Sequence, residues 1–169
     1  MEENCEKETE CFVAVKRGKF AEGILWYIDA VEEAICFGWI DSITKKGENG
    51  VLIQRFSPRK ENSSWTELNK QRARRMVKLG LMTKHGEKVL PDLDEEFKVD
   101  DDVLKRLKED EEVWKNLKEF PSLYFKVRID NIQRVRKNKE LFNYRLEKLI
   151  ETAKRKKLYG QWNDYGRLE

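Results

Sequence analysis

Trp39, Asp41, Gln54, Arg55, Arg59, Ser64, Trp65 and Asn69 are the residues whose types and spacing offer the most chemistry. A carboxylate among guanidinium groups can serve as a bridge that pins two strands, with Trp39 and Trp65 as core anchors. The same residues can instead form an anion pocket. Arg55, Arg59 and Lys60 precede a helix start at Ser64, and unsatisfied backbone N–H groups at such a start favour phosphate, sulfate or carboxylate. Side chains alternate across a strand, so Trp39 and Asp41 share one face, as do Val51, Ile53 and Arg55 on the next strand. A turn centred near Glu48 sets Asp41 opposite Arg55, whereas a slip of one residue sets it opposite Phe56.

Other reactive side chains are more scattered. Cys36 closes a helix beside Gly38 and Trp39, and a nucleophilic thiol would need a base or cation next to it. The sole histidine, His85, follows Thr83, and nothing in the spacing brings it to Cys36. Packing is the simpler role for Cys36. Glu32-Glu33 and Asp100-Asp-Asp102 lack the spacing of a metal loop, and no glycine-rich phosphate loop is present. Neither a metal nor a cofactor is expected. The basic runs Lys70/Arg74/Lys78 and Arg128 through Arg136 suit nucleic-acid phosphates, but acidic residues lie close by and no base-reading motif accompanies them.

Several elements must position these groups. Met1 to Glu10 is polar and reads as a disordered tail. Cys11 to Lys16 is a short β-type run ending at Arg17-Gly18. The run Ile24 to Phe37 places Tyr27, Val31, Ala34 and Ile35 at helical spacing, with Gly38 as its stop. Trp39 to Lys45 and Val51 to Phe56, joined by Lys46 to Gly50, read as a β-hairpin, and Pro58 ends the second strand. Ser64-Trp-Thr-Glu67 has the form of a capping box, opening a helix that runs to Leu79 before Gly80, with Trp65, Leu68, Met76 and Leu79 inward. Thr83 can cap a further short helix. An acidic linker over 92–98 leads to helices beginning near Asp101, Asp110, Ser122 and Asn138. The last carries Phe142, Leu146, Leu149, Ile150 and Ala153 as a stripe, with Gly160 as its stop.

The fold class is therefore α+β: a small antiparallel hairpin or sheet with helices over 11–91, then an all-helical lobe over 99–160, with 161–169 as a loose tail. The 169 residues suffice for one sizeable core or two small lobes, and charged residues make up 40% of them for a net charge of only +3. That balance does not point to a polyanion partner. Asp92 to Glu112 is acidic while Arg55 to Lys78 and Lys126 to Lys157 are basic, so attraction among the chain's own segments is the simplest expectation. Three cysteines without a CxxC pair suit a reducing compartment. The start lacks an apolar signal region and no run is long enough to span a bilayer, so the sequence reads as cytoplasmic.

The run Ala30-Val-Glu-Glu-Ala-Ile-Cys-Phe-Gly-Trp-Ile-Asp-Ser42, then Gln54-Arg-Phe-Ser-Pro-Arg59 and Ser64-Trp-Thr-Glu-Leu-Asn-Lys70, resembles the YdeI/OmdA-like family (bacteriocin-protection, YdeI or OmpD-associated). Order, spacing and residue types agree together over Val31 to Thr83. Val99 to Leu107, Phe120-Pro121, Lys137, Glu140 and Arg145 extend the likeness, although Leu141-Phe142 stand where the family has a Thr-Arg pair. The resemblance implies cell-envelope stress protection, with export and a porin partner for some members, and no enzymatic chemistry.

The first expectation is a non-enzymatic binding or stress-protection protein that takes a small anionic ligand or a protein partner at the hairpin and the following helix. A small enzyme acting on an anionic metabolite, with Asp41 as general base and Arg55 orienting the substrate, is the alternative. A nucleic-acid binder working through basic helix faces comes third.

Overall fold

The computed structural model describes residues 1–20, 22–47, 51–61 and 63–168. The chain is α+β and divides into two units, one made of Met1–Trp65 and Asn69–Leu93, the other of Thr66–Leu68 and Asp94–Glu169.

In the first unit three strands, β1 (Cys11–Val15), β2 (Trp39–Lys46) and β3 (Leu52–Pro58), form an antiparallel sheet in the order β1-β3-β2. The sheet is thus larger than a hairpin, since β1 lies along the free side of β3. The expected turn centred near Glu48 falls outside the described residues. Helix α1 (Tyr27–Cys36) begins where the Tyr27 N–H donates to the carbonyl of Lys16 at 2.9 Å, so the end of β1 satisfies the helix start in place of a side-chain cap. Ile24 and Leu25 precede the helix and are about half exposed. Val15, Val31, Ala34, Ile35, Trp39, Phe56, Trp65 and Ala73 make the core. Each such large apolar side chain, fully buried, contributes about 1.5–3 kcal/mol.

Gly38 ends α1 with φ +74°, and it lies so close to the next segment that an added Cβ would stand 2.8 Å from the His85 carbonyl oxygen. That segment is α3 (Lys84–Glu87), capped as expected by Thr83. The Thr83 Oγ1 donates to the Cys36 carbonyl at 2.6 Å and accepts from the Gly86 N–H. Helix α2 (Glu67–Lys78) closes at Gly80 through paired bonds, Gly80 N–H to Val77 O and Leu81 N–H to Met76 O. The helix begins at Glu67, three residues after Ser64, and the Glu67 N–H is taken by the Asp130 carboxylate at 3.1 Å. Met76 is buried, but Leu79, expected inward, is 52% exposed because it lies past the last helical turn. Arg74, of the basic run, grips the Leu93 carbonyl through Nε at 3.0 Å.

The second unit holds α4 (Asp101–Lys108), α5 (Glu111–Glu119), α6 (Ser122–Gln133) and α7 (Lys139–Lys154). Asp110 and Asn138 cap α5 and α7 by accepting early backbone N–H groups, as their types suggest. The stripe of α7 is buried at Leu146, Leu149, Ile150 and Ala153, against Val103, Leu107, Val113, Leu117 and Tyr124. The helix ends at Lys154 rather than at Gly160, since Lys156 takes the left-handed position with φ 51°. Acidic and basic segments do attract: Arg136 holds Asp100 and Asp102, and Lys154 meets Asp110 at 2.8 Å. Arg136 keeps the Asp102 carboxyl below the usual carboxylate range.

Both ends depart from the expectation of loose tails. Met1 and Cys5 pack against the first core, where the Cys5 carbonyl accepts from Trp39 Nε1 at 3.3 Å. Leu168 is 2% exposed among Leu123, Val127 and Leu68, and Trp162 joins the same cluster. A few large apolar groups among polar neighbours suffice to anchor such segments.

Candidate functional site

The register of β2 on β3 decides what the predicted residues can do. Asp41 faces Phe56, not Arg55, and pairing resumes at Thr44 opposite Gln54. Ser42 and Ile43 thus stand against Arg55 alone, which is a β-bulge. The Asp41–Arg55 juxtaposition on which the enzyme alternative rested is absent from the sheet. Arg55 instead donates through Nε to Glu10 at 2.6 Å and through Nη1 to Ser42 Oγ at 3.1 Å.

Gln54 has a structural task at the bulge. It is 0% exposed, and its Nε2 donates to the carbonyls of Ser42, Ile43 and Arg55 at 3.1–3.2 Å. Its amide thus reaches carbonyls of both strands at the bulge. Its Oε1 accepts from Thr44 Oγ1 at 2.7 Å and from Arg17 Nη2 at 2.8 Å.

The remaining predicted residues lie elsewhere in the same unit. Trp39 is a core anchor, 2% exposed. Trp65, also buried, donates from Nε1 to the Val89 carbonyl at 3.2 Å, and the Arg59 guanidinium stacks 3.6 Å from its ring centroid. Arg59 is itself 6% exposed, so its charge is inside the fold while Arg55 stands on the sheet. Asn69 is buried and accepts from Arg72 Nη1 at 2.8 Å. Ser64 is exposed. The structure therefore brings together Arg59 with Trp65, and separately Gln54 with the bulge, while Arg55 turns to Glu10 and Ser42.

A different constellation does form, around Arg17, Tyr27, Asp41, Thr44 and Gln54. The bond from Tyr27 N–H to Lys16 O draws the start of α1 to the end of β1, which sets Arg17 over the Tyr27 ring at 4.2 Å from its centroid. The Tyr27 hydroxyl donates to Asp41 Oδ2 at 2.6 Å. Burial, then the Asp41 carboxylate, push the Tyr27 phenol well above its ordinary range, so it stays a neutral donor. Arg17 Nη2 is fixed by Thr44 Oγ1 at 3.0 Å as well as by Gln54. Its Nε and Nη1 make no hydrogen bond with a described residue, and the residue is exposed. Stacking and the two acceptors hold the planar fork in one orientation. Sequence reading passed over Arg17 as turn and Tyr27 as core. The available signal was a cation placed directly after a strand that must hand over to a helix bearing a tyrosine in its first turn.

Cys36 is packed inside the first core. It is 3% exposed, and burial, with Glu33 and Glu32 adding to it, pushes its thiol from 9.0 up to about 11. Between those values an unfolded chain gives up a proton that the folded chain keeps, so stability falls as pH rises through that window. Near the same helix Glu32, 5% exposed, takes Arg75 Nη1 at 2.9 Å on both carboxylate oxygens. His85 meets Glu6 at 3.3 Å. Among the described residues no group of three or more histidines, cysteines or carboxylates is placed to hold a metal, and no helix is long and apolar enough to cross a membrane.

No curated protein and no solved structure matches the chain. A family model does match, over residues 1–89, the stretch that contains the sheet, α1 to α3 and the arginine–tyrosine constellation. On that match, which covers more than half of its length, the chain belongs to the family described as Domain of unknown function (DUF8412).

Proposed function

We propose that the protein is a non-enzymatic binding protein whose sheet-side site takes a carboxylate or phosphate group of a small ligand or a protein partner. The stress-protection role implied by the resemblance to the YdeI/OmdA-like family is the setting in which such binding would act. One observation carries the reading. Arg17 is exposed yet held, stacked on Tyr27 and bonded to Gln54 and Thr44, with Nε and Nη1 left for an anion. A fork fixed in advance loses less side-chain entropy on binding than a mobile arginine would.

Titration of the isotope-labelled protein with inorganic phosphate and with glutarate tests this by the side-chain Nε–H resonances of its arginines. The expected result is a saturable shift at Arg17, with smaller shifts at the Tyr27 and Gln54 amides, abolished in R17A and retained in R55A. Shifts that do not saturate, or that persist unchanged in R17A, would remove the site.

A further inference from the structure

The second unit contains a cavity of about 280 Å³ between α6, α7 and the segment after α7, lined by Arg128, Asn131, Arg145, Lys148, Tyr144 and Tyr159. Its charge is one-sided. Three cations line it and no carboxylate does. Several other cations of this unit have carboxylate partners: Arg106 meets Glu109 and Glu147, Arg134 meets Asp130, Arg136 meets Asp100 and Asp102, and Lys154 meets Asp110. Arg128, Arg145 and Lys148 have no carboxylate within 4.0 Å among the described residues.

Arg128 makes the imbalance consequential. It is 8% exposed, its Nη2 donates to the Gln161 carbonyl at 2.5 Å, and its buried Nε has no hydrogen-bond partner. Taking a guanidinium out of water is costly, and beside that carbonyl it is offset here by the ring faces of Tyr159 and Tyr124, whose centroids lie 4.9 and 5.5 Å from the guanidinium carbon, while Nε stays unpaired. The group is nevertheless accommodated by design of the backbone: a Cβ at Gly160 would stand 2.8 Å from Arg128 Nη1. Arg145 Nη1 is oriented by the Asn131 carbonyl at 2.6 Å. The Lys148 ammonium lies 5.1 Å from the ring centroid of Tyr159 and 5.7 Å from that of Tyr144. Burial raises the Tyr159 phenol, which therefore remains a neutral donor at the wall.

We propose that this cavity binds a small phosphate-bearing anion, either inorganic phosphate or a phosphate monoester, with Arg128 and Arg145 as fork donors and Lys148 as a point charge. The chemistry calls for a compact, multiply charged tetrahedral oxyanion, because three cations converge where a monocarboxylate would answer only one. The volume is below that of pockets that take drug-sized ligands, so a dinucleotide does not fit.

Calorimetric titration of the full chain with inorganic phosphate and with glycerol 3-phosphate, in chloride buffer at matched ionic strength, tests the proposal. Saturable binding of at least one is expected, weakened by about an order of magnitude or more in the R145Q/K148Q double variant, whose positions are half-buried and exposed. Tighter binding of the ester identifies an ester ligand, and tighter binding of phosphate the free ion. Run in the R17A background, which removes the phosphate site proposed on the sheet, the titration should still show this binding, and the R145Q/K148Q changes should weaken it there by the same factor. Because Arg128→Gln risks the fold, unfolding of the double variant in chloride serves as the control and should match the wild type. Absence of saturable binding, or equal affinity in the double variant, overturns the proposal. So does binding of a single-stranded oligonucleotide without either phosphate probe, which would assign the basic residues to an extended polyanion.

Discussion

Gln54 illustrates how one side chain can hold an irregular sheet together. Its amide nitrogen faces three carbonyls, and its oxygen ties Arg17 and Thr44 into the same network. Replacing it by leucine keeps the volume but strands those acceptors away from water. Gln54→Leu should therefore lower the unfolding free energy by about 2–3 kcal/mol, read from the urea midpoint. An unshifted midpoint would mean that water serves the bulge equally well. This residue also shows where sequence reading runs out. The two strands and their approximate ends were legible from residue type and alternation. The bulge was not, because it depends on a glutamine filling the gap from the partner strand. With one extra residue in β2, Asp41 comes to face Phe56 and gives its carboxylate to Tyr27.

At the level of elements, the ends that were legible are those closed by local chemistry. Gly38, Gly80, Thr83, Asp110 and Asn138 each act where their types suggest, since glycine accepts the left-handed conformation and short polar side chains reach back to the backbone. Gly160 misled because the residue that closes α7 is of a type that seldom does so. Asp130 supplies the acceptor at the start of α2, and Lys156 adopts a conformation usually left to glycine. The junction of α1 and α3 is the most exacting of these ends. Gly38→Ala combines a left-handed alanine with a Cβ pressed on the His85 carbonyl, and it should cost about 2–4 kcal/mol. Chemical denaturation followed by tryptophan fluorescence would reveal the loss, and a change below about 1 kcal/mol would contradict the tight contact.

On the scale of the whole chain, the α+β class and the order of elements followed from periodicity, while the anchoring of both termini and the cationic cavity did not. Periodicity reports which face of a helix is buried, not which charges converge between helices. The second unit also draws on three residues far from the rest of it in sequence, Thr66–Leu68. Leu68 packs beside Leu123, Val127 and Leu168, and the Glu67 N–H meets Asp130. A fragment of residues 94–169 should keep its helical circular dichroism yet melt lower than the same unit in the intact chain, by about 5–15 °C, through loss of one apolar partner and one hydrogen bond. Equal melting temperatures would show those residues to be dispensable.

The swelling in β2 has a bearing beyond the pairing it perturbs. Because β2 lies at the margin of the sheet, its outer N–H and C=O groups are the ones a neighbouring molecule would seek for strand addition. Two residues crowd there into the space of one, and Lys45 and Lys46 follow, so a visiting strand meets broken spacing and positive charge instead of a flat template. The same irregularity that upset a one-to-one register thereby works against strand addition at this edge of the sheet.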